Sequence, residues 1–196
     1  MQKVIHTLLY LILRKTINSN LSIIFGFLTD CRNIIDVGCG NGLTALLISE
    51  KLDKKVSCLD TGDFRWGQAK KLEHNIYNGE KIPYSDNSYD CAMVFFVLHH
   101  TQNPKNLLKE CVRISRNKIL ILEETYNSKF QNTLMVIYDL FLNYLIFGEK
   151  ISTPNFYTEK KWSSIFRDLH IRNVEKINFS KKWWRIPNRV LYVLNK

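Results

Sequence analysis

Ile34-Ile35-Asp36-Val37-Gly38-Cys39-Gly40-Asn41-Gly42-Leu43 is the stretch that decides the fold. An apolar strand runs into three glycines spaced two apart, and then into a helical pattern. Glycine lets the backbone turn sharply and approach a ligand closely, because no Cβ stands in the way. A strand entering a helix through such a turn builds a site at the carboxyl edge of a parallel sheet, where α/β proteins hold nucleoside cofactors. The spacing argues against two common variants. A dinucleotide fingerprint, G-x-G-x-x-G, would put its third glycine at Leu43, one past Gly42. A P-loop needs Lys and then Ser or Thr after its last glycine, and Leu43-Thr44 stands there instead.

Outward from the loop, strands alternate with helices. Asn33 to Val37 is the first strand, and its continuous apolar run fits a strand covered on both faces. Leu43 to Leu52 is a helix, with apolar residues at 43, 46, 47 and 48. Lys55 to Asp60 is the second strand. Thr61 to Asn75 is polar and irregular, with room for a short helix from Trp66 to His74, and Ile76-Tyr77 is a minimal third strand. Asp90 to Leu98 is the fourth strand. Pro104 to Ile114 is a helix with proline near its first turn, a favoured position. Lys118 to Glu123 is the fifth strand, and Lys129 to Phe147 a strongly apolar helix. Thr158 to Leu169 is a helix with Thr158 as N-cap and Lys161 where a capping box would want Glu.

Two strands close the chain, Arg172 to Asn178 and Arg189 to Leu194, with no helix between them. That ending predicts an antiparallel hairpin at one edge. Upstream, Val4 to Lys15 reads as helix and Leu21 to Leu28 as a second short apolar segment. Strands alternating with helices mean parallel βαβ units with right-handed crossovers. A chain of 196 residues fits one domain with a substantial core.

Bulk properties narrow the class of partner. The net charge of +10 suggests an anionic surface, nucleic acid or membrane. Against that, Lys, Asn and Ile are frequent throughout, which reads as a composition bias. The densest clusters are Lys160-Lys161 and Lys181-Lys182-Trp183-Trp184-Arg185, where aromatics interleaved with cations could stack on bases. The apolar run Val4 to Leu13 is too short to span a bilayer, which takes roughly 20 residues, and Arg14-Lys15 follows where a signal peptide would need a small-residue cleavage site. It reads as a helix packed on the sheet or as a peripheral membrane contact. Cys31, Cys39, Cys58, Cys91 and Cys111 show no CxxC and no ligand-like spacing, so a reducing cytoplasm is expected and no structural zinc.

The loop, as Asp-x-Gly-Cys-Gly-x-Gly, closely resembles motif I of the class I S-adenosylmethionine-dependent methyltransferases. A second stretch agrees. Asn78-Gly79-Glu80-Lys81-Ile82-Pro83-Tyr84-Ser85-Asp86-Asn87-Ser88-Tyr89-Asp90 is similar to the family's Asp-Gly-x-x-Leu-Pro-Phe-x-Asp-x-Ser-Phe-Asp. Phe95-Phe96-Val97-Leu98-His99-His100 matches the family string that ends Leu-His-His. The short distance from Asp60 to Asn78 resembles a compact, type 11-like subgroup in which the intervening helix is truncated. That subgroup also shows Asn-x-Tyr-x-x-x-x-Trp, present here from Asn155 to Trp162. The resemblance covers Asn33 to Asn127 well and the tail weakly. It implies a Rossmann-like three-layer α/β sandwich with a seven-stranded, mostly parallel sheet and an antiparallel edge strand. The whole chain, 1–196, would then be one methyltransferase domain, with 1–30 an N-terminal helical segment and 126–170 a helical segment on the acceptor side.

The resemblance also assigns a binding site for S-adenosylmethionine. Asp36 would offer a carboxylate to the ammonium and sulfonium of the methionine half. Gly38, Cys39 and Gly40 would pass under the cofactor. Asp60, with Thr61 beside it, would accept from the ribose hydroxyls. Asn78 and Gly79 would meet the adenine, although the family's usual acid there is replaced by an amide. Phe95 and Phe96 would contribute backbone groups. His99 is the candidate general base, since an unperturbed histidine titrates near neutrality. Adjacent histidines also suit a metal, but no partner ligand lies in sequence reach, and none is expected. Glu123-Glu124 reads equally as a pair facing the acceptor or as solvated caps. The leading function is methyl transfer to a small, lipophilic or aromatic acceptor, because Met135, Tyr138, Phe141, Tyr144, Phe147, Phe156 and Tyr157 make the acceptor side apolar. RNA or protein methylation using the basic surface, and a non-catalytic cofactor-binding partner protein, are the alternatives.

Overall fold

A computed structural model describes residues 21–147, 153–179 and 188–196. Seven strands form one sheet in the order β3-β2-β1-β4-β5-β7-β6. They are β1 (Asn33–Val37), β2 (Lys55–Asp60), β3 (Glu73–Ile76), β4 (Tyr89–Phe95), β5 (Ser115–Thr125), β6 (Asn173–Asn178) and β7 (Asn188–Asn195). The first five run parallel, and β7 lies antiparallel between β5 and β6. The expected closing hairpin is therefore present, with its second strand slotted inside its first.

Alternating residues feed two cores. Ile35, Val37, Leu59, Ile119, Ile121, Tyr192 and Leu194 point to one face. Ile34, Cys58, Leu120, Leu122, Leu191 and Val193 point to the other. A helical segment over residues 21–28 (α1) and α2 (Leu43–Leu52) cover the second face through Leu21, Ile24, Leu28, Leu43, Leu47 and Ile48. On the first face lie α3 (Pro104–Ile114) and α5 (Glu159–Asp168), which bury Leu107, Leu108, Cys111, Ile114, Trp162, Ile165 and Phe166. Both helices start where the sequence reading put them: Asn103 caps α3 ahead of Pro104, and the Thr158 side chain accepts from the Lys161 N–H.

Between β2 and β3 the chain makes only a 3-10 turn, Gly67–Lys71, so the crossover is truncated as expected. β3 itself sits earlier than the minimal Ile76-Tyr77 strand of the sequence reading. Glu73, His74 and Asn75 pair with Ser57, Cys58 and Leu59 at the sheet edge, where one face needs no apolar residues. A buried polar anchor fixes the start of β1. Asp90 accepts from the Arg32 and Asn33 N–H groups at 2.9 and 3.1 Å and pairs with Arg116 at 2.7 Å.

The remaining helix, α4 (Lys129–Phe147), behaves differently. Met135 is buried, but Phe130, Ile137, Phe141 and Tyr144 are 59–72% exposed. These residues do not pack the helix onto the sheet; they form an outward apolar face. Among the described residues no helix is long and apolar enough to cross a membrane. The expected helix Val4 to Lys15 and the cluster Lys181 to Arg185 lie outside the described residues.

Candidate active site

The chain leaves β1 toward β2 and β3, then returns to place β4 on the other side of β1. This reversal opens a crevice beyond the carboxyl ends of β1 and β4, the usual ligand position in open α/β sheets. The glycine loop forms one wall. Gly38, Gly40 and Gly42 all have positive φ, at 74°, 51° and 72°. At Gly38 the need for glycine is double, because a Cβ there would fall 2.6 Å from Cγ1 of Val97. The loop is tied down from beneath, where the Gly38 and Cys39 N–H groups donate to the Leu59 carbonyl at 2.7 and 3.2 Å.

Asp60, at the end of β2, joins the loop to its own turn. Its carboxylate accepts from the Gly40 N–H at 2.7 Å and from the Thr61 N–H at 2.7 Å. Burial raises its pKa, and those two donors pull the other way. A carboxylate offers about four lone-pair sites, so two engaged positions leave capacity for ribose hydroxyls.

Asp36 is the penultimate residue of β1, paired in register with Cys58 and Met93. It is 3% exposed and makes no side-chain hydrogen bond among the described residues. Burial, with the Asp60 charge adding to it, pushes its pKa up to about 7. A buried carboxyl without a donor is unusual, and a cationic ligand group is one natural partner.

The other assigned residues divide. The Cys39 side chain is buried beside the β1–β2 core, so only its backbone faces the crevice. Thr61 and Gly79 are neighbours across the cleft edge, since a Cβ on Gly79 would meet Thr61 Cγ2 at 3.6 Å. The Asn78 oxygen that was assigned to adenine accepts from the Glu80 and Lys81 N–H groups at 3.0 and 3.2 Å. It therefore shapes its own turn. Phe95 ends β4, and Phe96 follows with a φ of 59° while its N–H donates to the Leu122 carbonyl at 2.8 Å. That left-handed residue redirects the chain into a 3-10 turn, Leu98–His100, at the crevice rim.

His99, the candidate base, sits between two acids. Its Nδ1 lies 2.6 Å from Oε2 of Glu123, and its Nε2 faces Oδ1 of Asp139 at 3.7 Å. Burial pulls the ring toward neutrality, but the two carboxylates outweigh it and hold its pKa at about 10. Both ring nitrogens thus face carboxylates before any acceptor is present. Glu123 and Glu124 are likewise not solvated caps. Glu123 is fully buried and also accepts from the Val97 and Leu98 N–H groups at 3.1 and 2.8 Å. Glu124 pairs with Arg189 at 3.0 Å.

Asp139 is the residue that sequence reasoning missed. It lies on the inner face of α4, pairs with both histidines, and is held well below the usual carboxylate range by them in spite of its burial. Its only signal in the sequence is a lone acid within an apolar helix.

Residues 35–121 match a family described as a methyltransferase domain. The chain is 30% identical over 128 residues to the ubiquinone/menaquinone biosynthesis C-methyltransferase UbiE of Blochmanniella floridana, covering 58% of this chain and 49% of that one. It is 24% identical over 101 residues to ajmaline N-methyltransferase of Rauvolfia serpentina, covering 46% and 35%. The chain therefore matches about half or less of the length of these curated relatives. A solved S-adenosylmethionine-dependent methyltransferase from Archaeoglobus fulgidus superposes with a TM-score of 0.70 over 93% of this chain and 94% of that one, at 15% identity. At that identity the likeness is one of fold.

Proposed function

We propose that this chain, whose residues 35–121 match a methyltransferase domain, is a class I S-adenosylmethionine-dependent methyltransferase that transfers a methyl group to a small, lipophilic or aromatic acceptor. The observation that carries the proposal is the buried carboxyl of Asp36, without a side-chain hydrogen bond among the described residues, behind a loop of three positive-φ glycines. When bound, S-adenosylmethionine supplies a methyl group already activated on a sulfonium sulfur. Asp36 would compensate the positive charge of its methionine half, Gly38 and Gly40 would admit its backbone-near atoms, and Asp60 would hold the ribose. No covalent enzyme intermediate is needed, so catalysis reduces to aligning acceptor and donor, an effect worth up to about 7–11 kcal/mol. That accords with a site whose one nominated base, His99, has both ring nitrogens facing carboxylates.

The Phe156 ring stacked on His99 supports an apolar acceptor, and the names of the curated relatives point to small molecules. The test has two steps. Calorimetry should show S-adenosylmethionine binding, weakened about 10- to 100-fold by Asp60→Ala through loss of charge-assisted hydrogen bonds. Mass spectrometry should then show methylated product from a panel of apolar alcohols, amines and quinols. Absence of binding in the wild type would sink the proposal. The charge of +10 favours a second reading, methylation of RNA or a protein. A steep loss of RNA binding with added salt would support it, and no binding at low salt removes it. Binding without turnover on any acceptor would favour a non-catalytic partner protein.

A further inference from the structure

We propose that His99, His100 and Asp139 form a binding site for a divalent transition-metal ion of the zinc class. Nε2 of His99 lies 3.7 Å from Oδ1 of Asp139, and Nε2 of His100 lies 3.5 Å from its Oδ2. One ligand atom from each residue falls within 4.8 Å of the others. With metal–ligand bonds of about 2.0–2.2 Å, three donors around one ion sit roughly 3–3.5 Å apart. Small side-chain rotations close that difference.

Two features separate this cluster from a chance grouping of polar side chains. The first is the carboxylate behind the histidine. Metal-bound histidines almost always pass their other ring N–H to a carboxylate, carbonyl or water, which fixes the tautomer and aims the remaining nitrogen. Glu123 supplies that group to His99 at 2.6 Å, and Glu123 is itself fixed by the Val97 and Leu98 N–H groups. The nitrogen so aimed, Nε2, is the one facing Asp139.

The second feature is that two of the three donors, His99 and Asp139, are held in place by further contacts. The His99 ring stacks on Phe156 with centroids 4.5 Å apart, and the His99 carbonyl accepts from the Asn155 N–H at 2.7 Å. The Asn143 amide donates to Oδ2 of Asp139 at 2.9 Å. The tertiary fold thus supplies what sequence spacing withholds, a carboxylate 39 residues beyond His100 brought across by α4.

The donor set selects the ion. Two imidazoles and one carboxylate suit zinc, ferrous iron or a similar ion, whereas magnesium and calcium prefer all-oxygen ligands. Three protein ligands leave coordination positions open. The site follows Phe95 and Phe96 at the carboxyl end of β4, beneath α4. An ion there would present a Lewis acid to a hydroxyl or carbonyl oxygen on the acceptor side. That last role rests on the methyl-transfer reading; the ion site stands without it. The competing account is an ion-pair cluster in which a proton on His99 bridges Glu123 and Asp139.

The test uses the full chain after chelator treatment, with no methyl donor present, so its failure leaves the methyl-transfer proposal standing. Titration with Co²⁺, followed by visible absorption, and with Zn²⁺, followed by calorimetry, should each show one site per chain. The Co²⁺ spectrum should have ligand-field bands and no thiolate charge-transfer band. His100→Ala and Asp139→Asn change side chains only 19% and 15% exposed and should each weaken binding at least about 10-fold, and Glu123→Gln by about 10- to 100-fold. If a variant misfolds by circular dichroism, ring-nitrogen NMR of the wild type replaces it, with the His99 and His100 signals shifting on Zn²⁺ addition. No binding, unchanged affinity in folded variants, a thiolate band, or unshifted His99 and His100 signals would each overturn the proposal.

Discussion

Replacing Asp36 by Asn tests the logic of the cofactor cradle before any ligand is added. In the folded chain the carboxyl titrates at about 7 because burial and the Asp60 charge both disfavour its ionised form. In the unfolded chain the same group titrates near 3.9. Between about pH 4 and 7 the folded state therefore keeps a proton that the unfolded state has released. Stability falls as pH rises through that window and stays reduced above it. The full displacement corresponds to roughly 4 kcal/mol, and relaxation of the site makes about 2–4 kcal/mol a realistic range.

Asn at the same position carries no charge and does not follow this dependence. We expect the stability of Asp36→Asn relative to the wild type to increase by about 2–4 kcal/mol between pH 4.5 and 8. At roughly 2–4 °C per kcal/mol for a chain of this size, the relative Tm should rise by about 5–15 °C. Ligand-free thermal melts followed by circular dichroism, in matched buffers across that range, give the difference directly. The absolute sign at one pH matters less, because a buried amide without partners has its own cost of about 1–3 kcal/mol. A difference that is flat with pH, or that narrows as pH rises, would refute the reasoning. The same titration predicts that wild-type affinity for S-adenosylmethionine rises about 10-fold from pH 6 to 8, since a cationic ligand favours the ionised carboxyl. The variant's affinity should stay level.

Gly38→Ala places a methyl group against both γ-carbons of Val97 at a φ of 74°, and should lose about 2–4 kcal/mol in urea unfolding; adding Val97→Ala should restore part of that. Tyr192→Phe removes a buried hydroxyl with no hydrogen-bond partner among the described residues, so it should be neutral or stabilise by about 1 kcal/mol. A loss above 1 kcal/mol in the same assay would show a missed partner. Glu123→Gln leaves the His99 cation with one fewer carboxylate and should destabilise by about 3–5 kcal/mol, while Glu80→Gln at the surface should change stability by less than about 0.5 kcal/mol.

How much of this was legible differs from element to element. Leu43–Leu52 and Pro104–Ile114 run between the ends expected from the sequence, because their apolar periodicity, loop glycine and N1 proline are local signals. β3 was misplaced by three residues because an edge strand of Glu73, His74 and Asn75 carries no apolar alternation to read. β5 is longer than expected because α3 ends at Ile114 and the strand starts at Ser115 with no turn residues between them.

The sequence by itself determined the glycine loop, the acids at Asp36 and Asp60, and the alternation that makes a parallel sheet. Each rests on neighbours within one strand or one turn, where backbone geometry and side-chain period leave few choices. What charges do in the fold was decided only in three dimensions. Asp36 becomes a titrating group near neutrality because α1, α2 and the sheet exclude water from it. His99 is pushed toward its charged form, and becomes one of the three donors of a candidate metal site, because Glu123 arrives from β5 and Asp139 from α4. Electrostatic energy depends on distance through space and on burial, and sequence separation records neither.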